Sequence, residues 1–122
     1  MSKDWVKDIN EMQYKYGVHK WIHDNRDNPD QLKRYLEFRI DFLREELDET
    51  EAALVCMDSE EVVDGLIDLC VVAIGTLDAF GVDPYKAWDE ILRANLSKEV
   101  GVKPERPNPM GLPDLIKPED WE

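Results

Sequence analysis

The sequence predicts an all-α protein: a bundle of four helices followed by an extended, proline-rich C-terminal tail. Three observations carry this. Apolar residues recur at spacings of three and four along successive stretches. Those stretches are bounded by capping residues and glycines rather than by hairpin turns. A hydrophobic content of 43% in 122 residues is enough for one modest core and well above that of a disordered acidic chain.

The first helix is expected from about Asp4 to Tyr16, with Trp5, Ile9, Met12 and Tyr16 on one face and Gly17 as its stop. A polar stretch, VHKWIHDNRDNP, reads as a connection whose Asn28-Pro29 opens the next helix. That second helix runs from Pro29 or Asp30 to Cys56. Tyr35, Phe38, Phe42, Glu46, Glu49 and Ala53 lie along one side of it, so the stripe begins aromatic and turns acidic.

Asp58 and Ser59 open a third helix that continues through Phe80 to Gly81. Its middle, VVDGLIDLCVVAIGTL, would also suit a buried strand, but its length favours a helix. Asp83-Pro84 caps a fourth, from Tyr85 to Ser97, with Trp88, Ile91, Leu92 and Asn95 on one face. Beyond Gly101 lie five of the seven prolines, which exclude a long helix. Met110, Leu112, Leu115, Ile116 and Trp121 give this tail the anchors of a strap lying on the bundle or on a partner subunit. The expected organisation is one domain, with residues 1–100 as its helical body and 101–122 as its strap.

Fifteen basic and 28 acidic residues leave a formal charge of −13. Binding to a nucleic-acid backbone needs clustered Lys and Arg, so such a polymer is excluded as a partner. Anionic membranes are disfavoured for the same reason. The longest apolar run, Leu69 to Ile74, is far short of a membrane span, and MSKDWVKDINE lacks the apolar stretch of a signal peptide. Cys56 and Cys70 read as buried free thiols rather than a disulfide. The expectation is a soluble cytoplasmic protein, of a bacterial cell or, if phage-encoded, of its host.

From Glu45 to Asp83 there are twelve Asp and Glu and no Lys, Arg or His. Asp48, Glu51 and Glu60 read as solvated surface. Glu61, Asp64 and Asp68, at spacings of three and four, share one helix face within about 60°. Asp64 and Asp68 are embedded among Val63, Leu66, Ile67 and Leu69. On the preceding helix Glu46 and Glu49 continue the aromatic stripe, with Glu45 beside them. A short connection makes the two helices antiparallel neighbours and brings the acidic patches face to face.

Carboxylates gathered inside a bundle repel one another and cost several kcal/mol each to desolvate unless compensated. The stretch itself holds no basic residue, which leaves partial protonation or a divalent cation. Hard oxygen donors without His or Cys select Mg²⁺ or Mn²⁺ over zinc; a polar helix edge facing solvent is the alternative. A di-iron centre would need Glu-x-x-His on two helices, but the two histidines, His19 and His23, lie outside both.

EELDE at 45–49 and EVVD at 61–64 fit the EExxE and ExxD signatures of the all-α nucleoside triphosphate pyrophosphohydrolases. The chain thus resembles the MazG-like group, which includes phosphoribosyl-ATP pyrophosphohydrolase and dimeric dUTPases. DGLIDLCVVAIGTLDAFGVDPYKAWDEILRANLSK and DINEMQYKYG resemble its bacterial and phage branch, over roughly residues 5–100. GVHKW brings in the MazZ-like enzymes acting on dGTP or dATP. The eleven residues between the signatures are slightly few for the family. Counting back from Gly81 places the family's final aspartate at Asp68, with Gly65 where its glutamate would stand. Glu61 with Asp64, or Asp64 with Asp68, is therefore the principal pair.

The resemblance implies an all-α MazG-like bundle and hydrolysis of a nucleoside triphosphate to monophosphate and pyrophosphate. Mg²⁺, with Mn²⁺ as substitute, would be held by Glu46, Glu49, Glu61, Asp64 and Asp68. Glu45 would position or deprotonate the attacking water. Asn95 and Lys98 resemble the family's phosphate-contacting Asn-x-x-Lys, although Lys98 would also suit a helix C-terminus. His19 and Trp21 offer the base a hydrogen-bond donor and a stacking surface, or Trp21 packs beneath the tail. A deoxynucleotide such as dGTP or dATP is the expected substrate. A dUTP, dCTP or damaged-nucleotide pyrophosphatase, or a non-enzymatic acidic binding protein, is the alternative. The resemblance also implies a homodimer or homotetramer.

Overall fold

The computed structural model describes residues 3–101 and 114–116, with side chains over residues 3–98. Among them are five helices and two short strands: α1 (Trp5–Lys15), α2 (Val18–Asp24), α3 (Pro29–Val55), α4 (Ser59–Ala79), α5 (Pro84–Leu96), β1 (Glu99–Gly101) and β2 (Asp114–Ile116). The fold is all-α, as the helical spacings predict. They fall into two compact units, one up to Pro84 and one from Tyr85 onward.

Helix boundaries follow local chemistry. The side chains of Asp4, Asn28 and Asp58 each accept a hydrogen bond from the backbone N–H three residues on, at Lys7, Gln31 and Glu61, satisfying donors that a helix start leaves unpaired. Pro29 adds a pre-set φ at the first position of α3.

The stretch expected as a connection contains a fifth helix. Gly17, at φ 75°, ends α1 in the left-handed region, and its carbonyl accepts from Trp21 N–H to start α2. Asn25 closes α2 by donating through both backbone and side chain to the Trp21 carbonyl. Seven residues are too few for a periodic signal, and this one hid among polar neighbours.

In the first unit α3 and α4 form an antiparallel hairpin, α1 packs on α4, and α2 rests on α1 and α4. The hairpin turns within three residues because Met57 takes φ 55°. Cys56 caps α3 there and is exposed, while Cys70 is half-buried; both are free thiols. The expectation that both are buried fails because Cys56 sits at the hairpin tip.

Among the described residues the buried apolar side chains are Ile9, Val72 and Ala79, and Gln13, Thr50 and Asp78 are buried as well. The buried face of α1 is thus Ile9 and Gln13, whereas Trp5, Met12 and Tyr16 of the expected face are exposed. The helix is turned this way because Gln13 Nε2 donates to the Gly75 carbonyl at 2.8 Å, an approach that a Cβ at Gly75 would crowd.

In the second unit β1 and β2 pair antiparallel, Glu99 opposite Ile116 and Gly101 opposite Asp114. Asp114–Ile116 of the tail thus pairs with the segment that follows α5. Met110, Leu112 and Trp121 lie outside the described residues. No single helix among the described residues is long and apolar enough to cross a membrane.

Candidate active site

Two helix-facing residues set the site's geometry. Thr50 on α3 and Gly65 on α4 are both buried, and a Cβ built on Gly65 would land on the Thr50 hydroxyl. Thr50 Oγ1 spends its own proton on the Glu46 carbonyl at 2.7 Å. With α3 and α4 antiparallel about this contact, Glu46 stands level with Asp68, and Ala53 stands level with Glu61 and Val62.

The carboxylates sort themselves accordingly. Glu46 and Asp68 are half-buried, while Glu45, Glu49 and Asp64 are exposed at the rim. Burial holds the Glu46 carboxyl above the usual carboxylate range, and the charges of Glu49, Asp68, Glu45 and Asp64 push it further the same way. Four acids of α3 and α4 therefore bear on Glu46 along the α3–α4 groove. Among the described residues three of the five are exposed, so they edge the α3–α4 pair instead of filling a bundle interior.

Glu61 belongs to the N-terminal end of α4. It lies in the first turn of α4, where its backbone N–H is capped by Asp58 and an acid complements the helix dipole. One turn further along α4, the Thr50 contact leaves no room for a side chain at Gly65. Asp64 and Asp68 are the α4 acids whose charges act on Glu46.

Among the described residues none of these six carboxylates enters an ion pair, and the neighbouring Arg44 turns to Asp41 at 3.0 Å. No three His, Cys, Asp or Glu among them converge tightly enough to hold a metal ion as they stand. Their chemistry fits Mg²⁺ nonetheless: every donor is an anionic oxygen, none is neutralised by a cation, and glutamate side chains rotate freely enough to close on an ion.

Beyond the groove, His19 Nε2 meets Asp78 Oδ2 at 2.8 Å, and Trp21 stacks on Tyr35 at 5.4 Å between ring centroids. Asn95 and Lys98 belong to the second unit, where Lys98 N–H donates to the Asn95 carbonyl at 3.2 Å and ends α5. Sequence reasoning missed a polar belt on the C-terminal half of α4. Asn10 Nδ2 donates to Asp78 Oδ1 at 2.7 Å. Arg39 donates to Thr76 Oγ1 and the Val72 carbonyl, both at 3.0 Å, and its guanidinium lies beside the rings of Tyr35 and Phe42. The available signals were an aspartate in an apolar helix, at Asp78, and the small Gly75.

The sequence profile described as phosphoribosyl-ATP pyrophosphohydrolase matches residues 16–95. The chain belongs to this family. The match spans α2 through most of α5 and contains all six carboxylates together with His19, Trp21 and Asn95; α1 and Lys98 lie outside it. No curated protein and no solved structure matches. The family suggests a nucleotide substrate and a pyrophosphohydrolase activity.

Proposed function

We propose that the protein is a Mg²⁺-dependent nucleoside triphosphate pyrophosphohydrolase acting on a deoxynucleotide such as dGTP or dATP. The observation that carries this is the uncompensated field at Glu46, raised by four neighbouring carboxylates in a chain of this family. Glu46, Glu49, Asp64 and Asp68 are the residues that would hold the metal. When bound, Mg²⁺ supplies neutralisation of the triphosphate and a lowered pKa for the attacking water.

The chain's own residues do the rest. Glu45, exposed at the rim next to Glu46, orients the water and accepts its proton. Water oxygen bonds to the α-phosphorus, the bond from that phosphorus to the bridging oxygen breaks, and pyrophosphate leaves with nucleoside monophosphate as co-product. His19 and Trp21 receive the base.

A second copy of the chain completes the assembly as a homodimer or homotetramer. Leu47 and Leu54 on α3, with Val63 and Leu66 on α4, are all at least half exposed, more apolar surface than a lone helical hairpin ordinarily presents to water. The reaction is tested by hydrolysis in ¹⁸O-water: the label is expected in the monophosphate and not in pyrophosphate. Label in pyrophosphate, or release of phosphate and diphosphate, would contradict attack at the α-phosphorus.

A further inference from the structure

Outside the carboxylate groove, three helices bring titratable and polar side chains to one point. Asn10 and Tyr14 come from α1, His19 from α2 and Asp78 from α4. Asp78 is only 8% exposed, and a buried carboxylate is costly unless both oxygens are satisfied. Here both are: Oδ1 accepts from Asn10 Nδ2 at 2.7 Å, and Oδ2 faces His19 Nε2 at 2.8 Å. The Tyr14 ring stacks on the imidazole at 4.0 Å and 22°, which fixes its plane.

A carboxylate can only accept, so in the neutral ring Nε2 carries the proton and Nδ1 keeps its lone pair. Among the described residues Nδ1 has no hydrogen-bond partner, and the side chain is 23% exposed. We propose that Asp78, supported by Asn10, is a positioning residue that holds His19 in one tautomer and so makes it an acceptor for an exocyclic amino group of the substrate base. The assignment rests on the pyrophosphohydrolase reading and deepens it: the preferred nucleotide bears an amino group, and the oxo or unsubstituted analogue leaves Nδ1 unpaired.

The substitution Asp78→Asn separates this role from a structural one. The amide offers one acceptor, which Asn10 retains, and turns its NH₂ toward Nε2. The imidazole then accepts at Nε2 and carries its proton on Nδ1. The test is kcat and KM for dATP against dITP, dGTP against dITP and dCTP against dUTP, on the wild type, Asp78→Asn and His19→Ala, with ¹⁵N NMR of His19.

The wild type is expected to favour the amino base by about tenfold or more in kcat/KM in at least one pair, with His19 as the Nε2–H tautomer. In Asp78→Asn the preference is expected to vanish or invert through KM rather than kcat, with the proton on Nδ1. His19→Ala, at a part-exposed side chain, is expected to lose the preference while folded. An active wild type indifferent to the amino group, a wild-type Nδ1–H tautomer, or an Asp78→Asn variant altered in melting temperature but not in preference would overturn the positioning role alone. A folded wild type that hydrolyses no nucleotide would overturn the pyrophosphohydrolase reading and this role with it.

Discussion

Glu49 and Asp64 each add negative charge to the field at Glu46, so neutralising either relieves repulsion while removing a ligand. Glu49→Gln and Asp64→Asn are expected to abolish turnover, with the melting temperature unchanged or raised. A folded Asp64→Asn chain with full activity would remove the site assignment. Glu46 itself makes a pH-dependent prediction. Its folded carboxyl lies above the ordinary range, so the folded chain binds this proton more tightly than the unfolded one. The stability it contributes is present below the unfolded value of about 4.3 and lost as pH rises through the raised folded value. Metal-free Glu46→Gln is therefore expected to melt higher than the wild type at neutral pH, the gap closing below about pH 4. Melting curves across that range check it; a constant gap would contradict the sign. These acids were legible in the sequence because no cation interrupts residues 45–84. The partnership of Asp78 with Asn10 and His19 was not, since it joins positions 68 and 59 apart that only folding brings together.

At the scale of the helix, caps and glycines placed the four long helices to within a residue or two, while α2 was too short to register. Apolar periodicity set Trp5, Ile9 and Met12 toward Ile67 and Val71 of α4, but it is blind to Asn10 and Gln13, which hydrogen-bond inward beside them. The Thr50–Gly65 contact was invisible as well, yet it decides which acids share the groove. Gly65→Ala is expected to destabilise the chain by about 1–3 kcal/mol and to lower activity by pushing α3 from α4. Thr50→Ala in the same chain, which removes the hydroxyl that the new methyl meets, is expected to restore part of both. Chemical denaturation of the single and double variants measures the coupling; strict additivity would mean that the two positions do not touch.

The whole molecule carries a net charge of −13 and few apolar residues are buried among those described, so cations and a second copy are its natural complements. Mg²⁺ is expected to raise the melting temperature and EDTA to lower it, because an ion that binds the folded chain alone stabilises it by mass action. Light scattering is expected to report a mass of at least twice the 14.2 kDa of one chain; a strict monomer would contradict the reading of Leu47, Leu54, Val63 and Leu66 as an interface. The most direct test of the central claim is pyrophosphate release from a panel of ribo- and deoxynucleoside triphosphates in Mg²⁺, Mn²⁺ and EDTA. Metal-dependent release, strongest with one deoxynucleotide and abolished by EDTA, is the predicted result. No release from any nucleotide by folded protein would contradict it, and the groove would then be the face of an acidic binding protein.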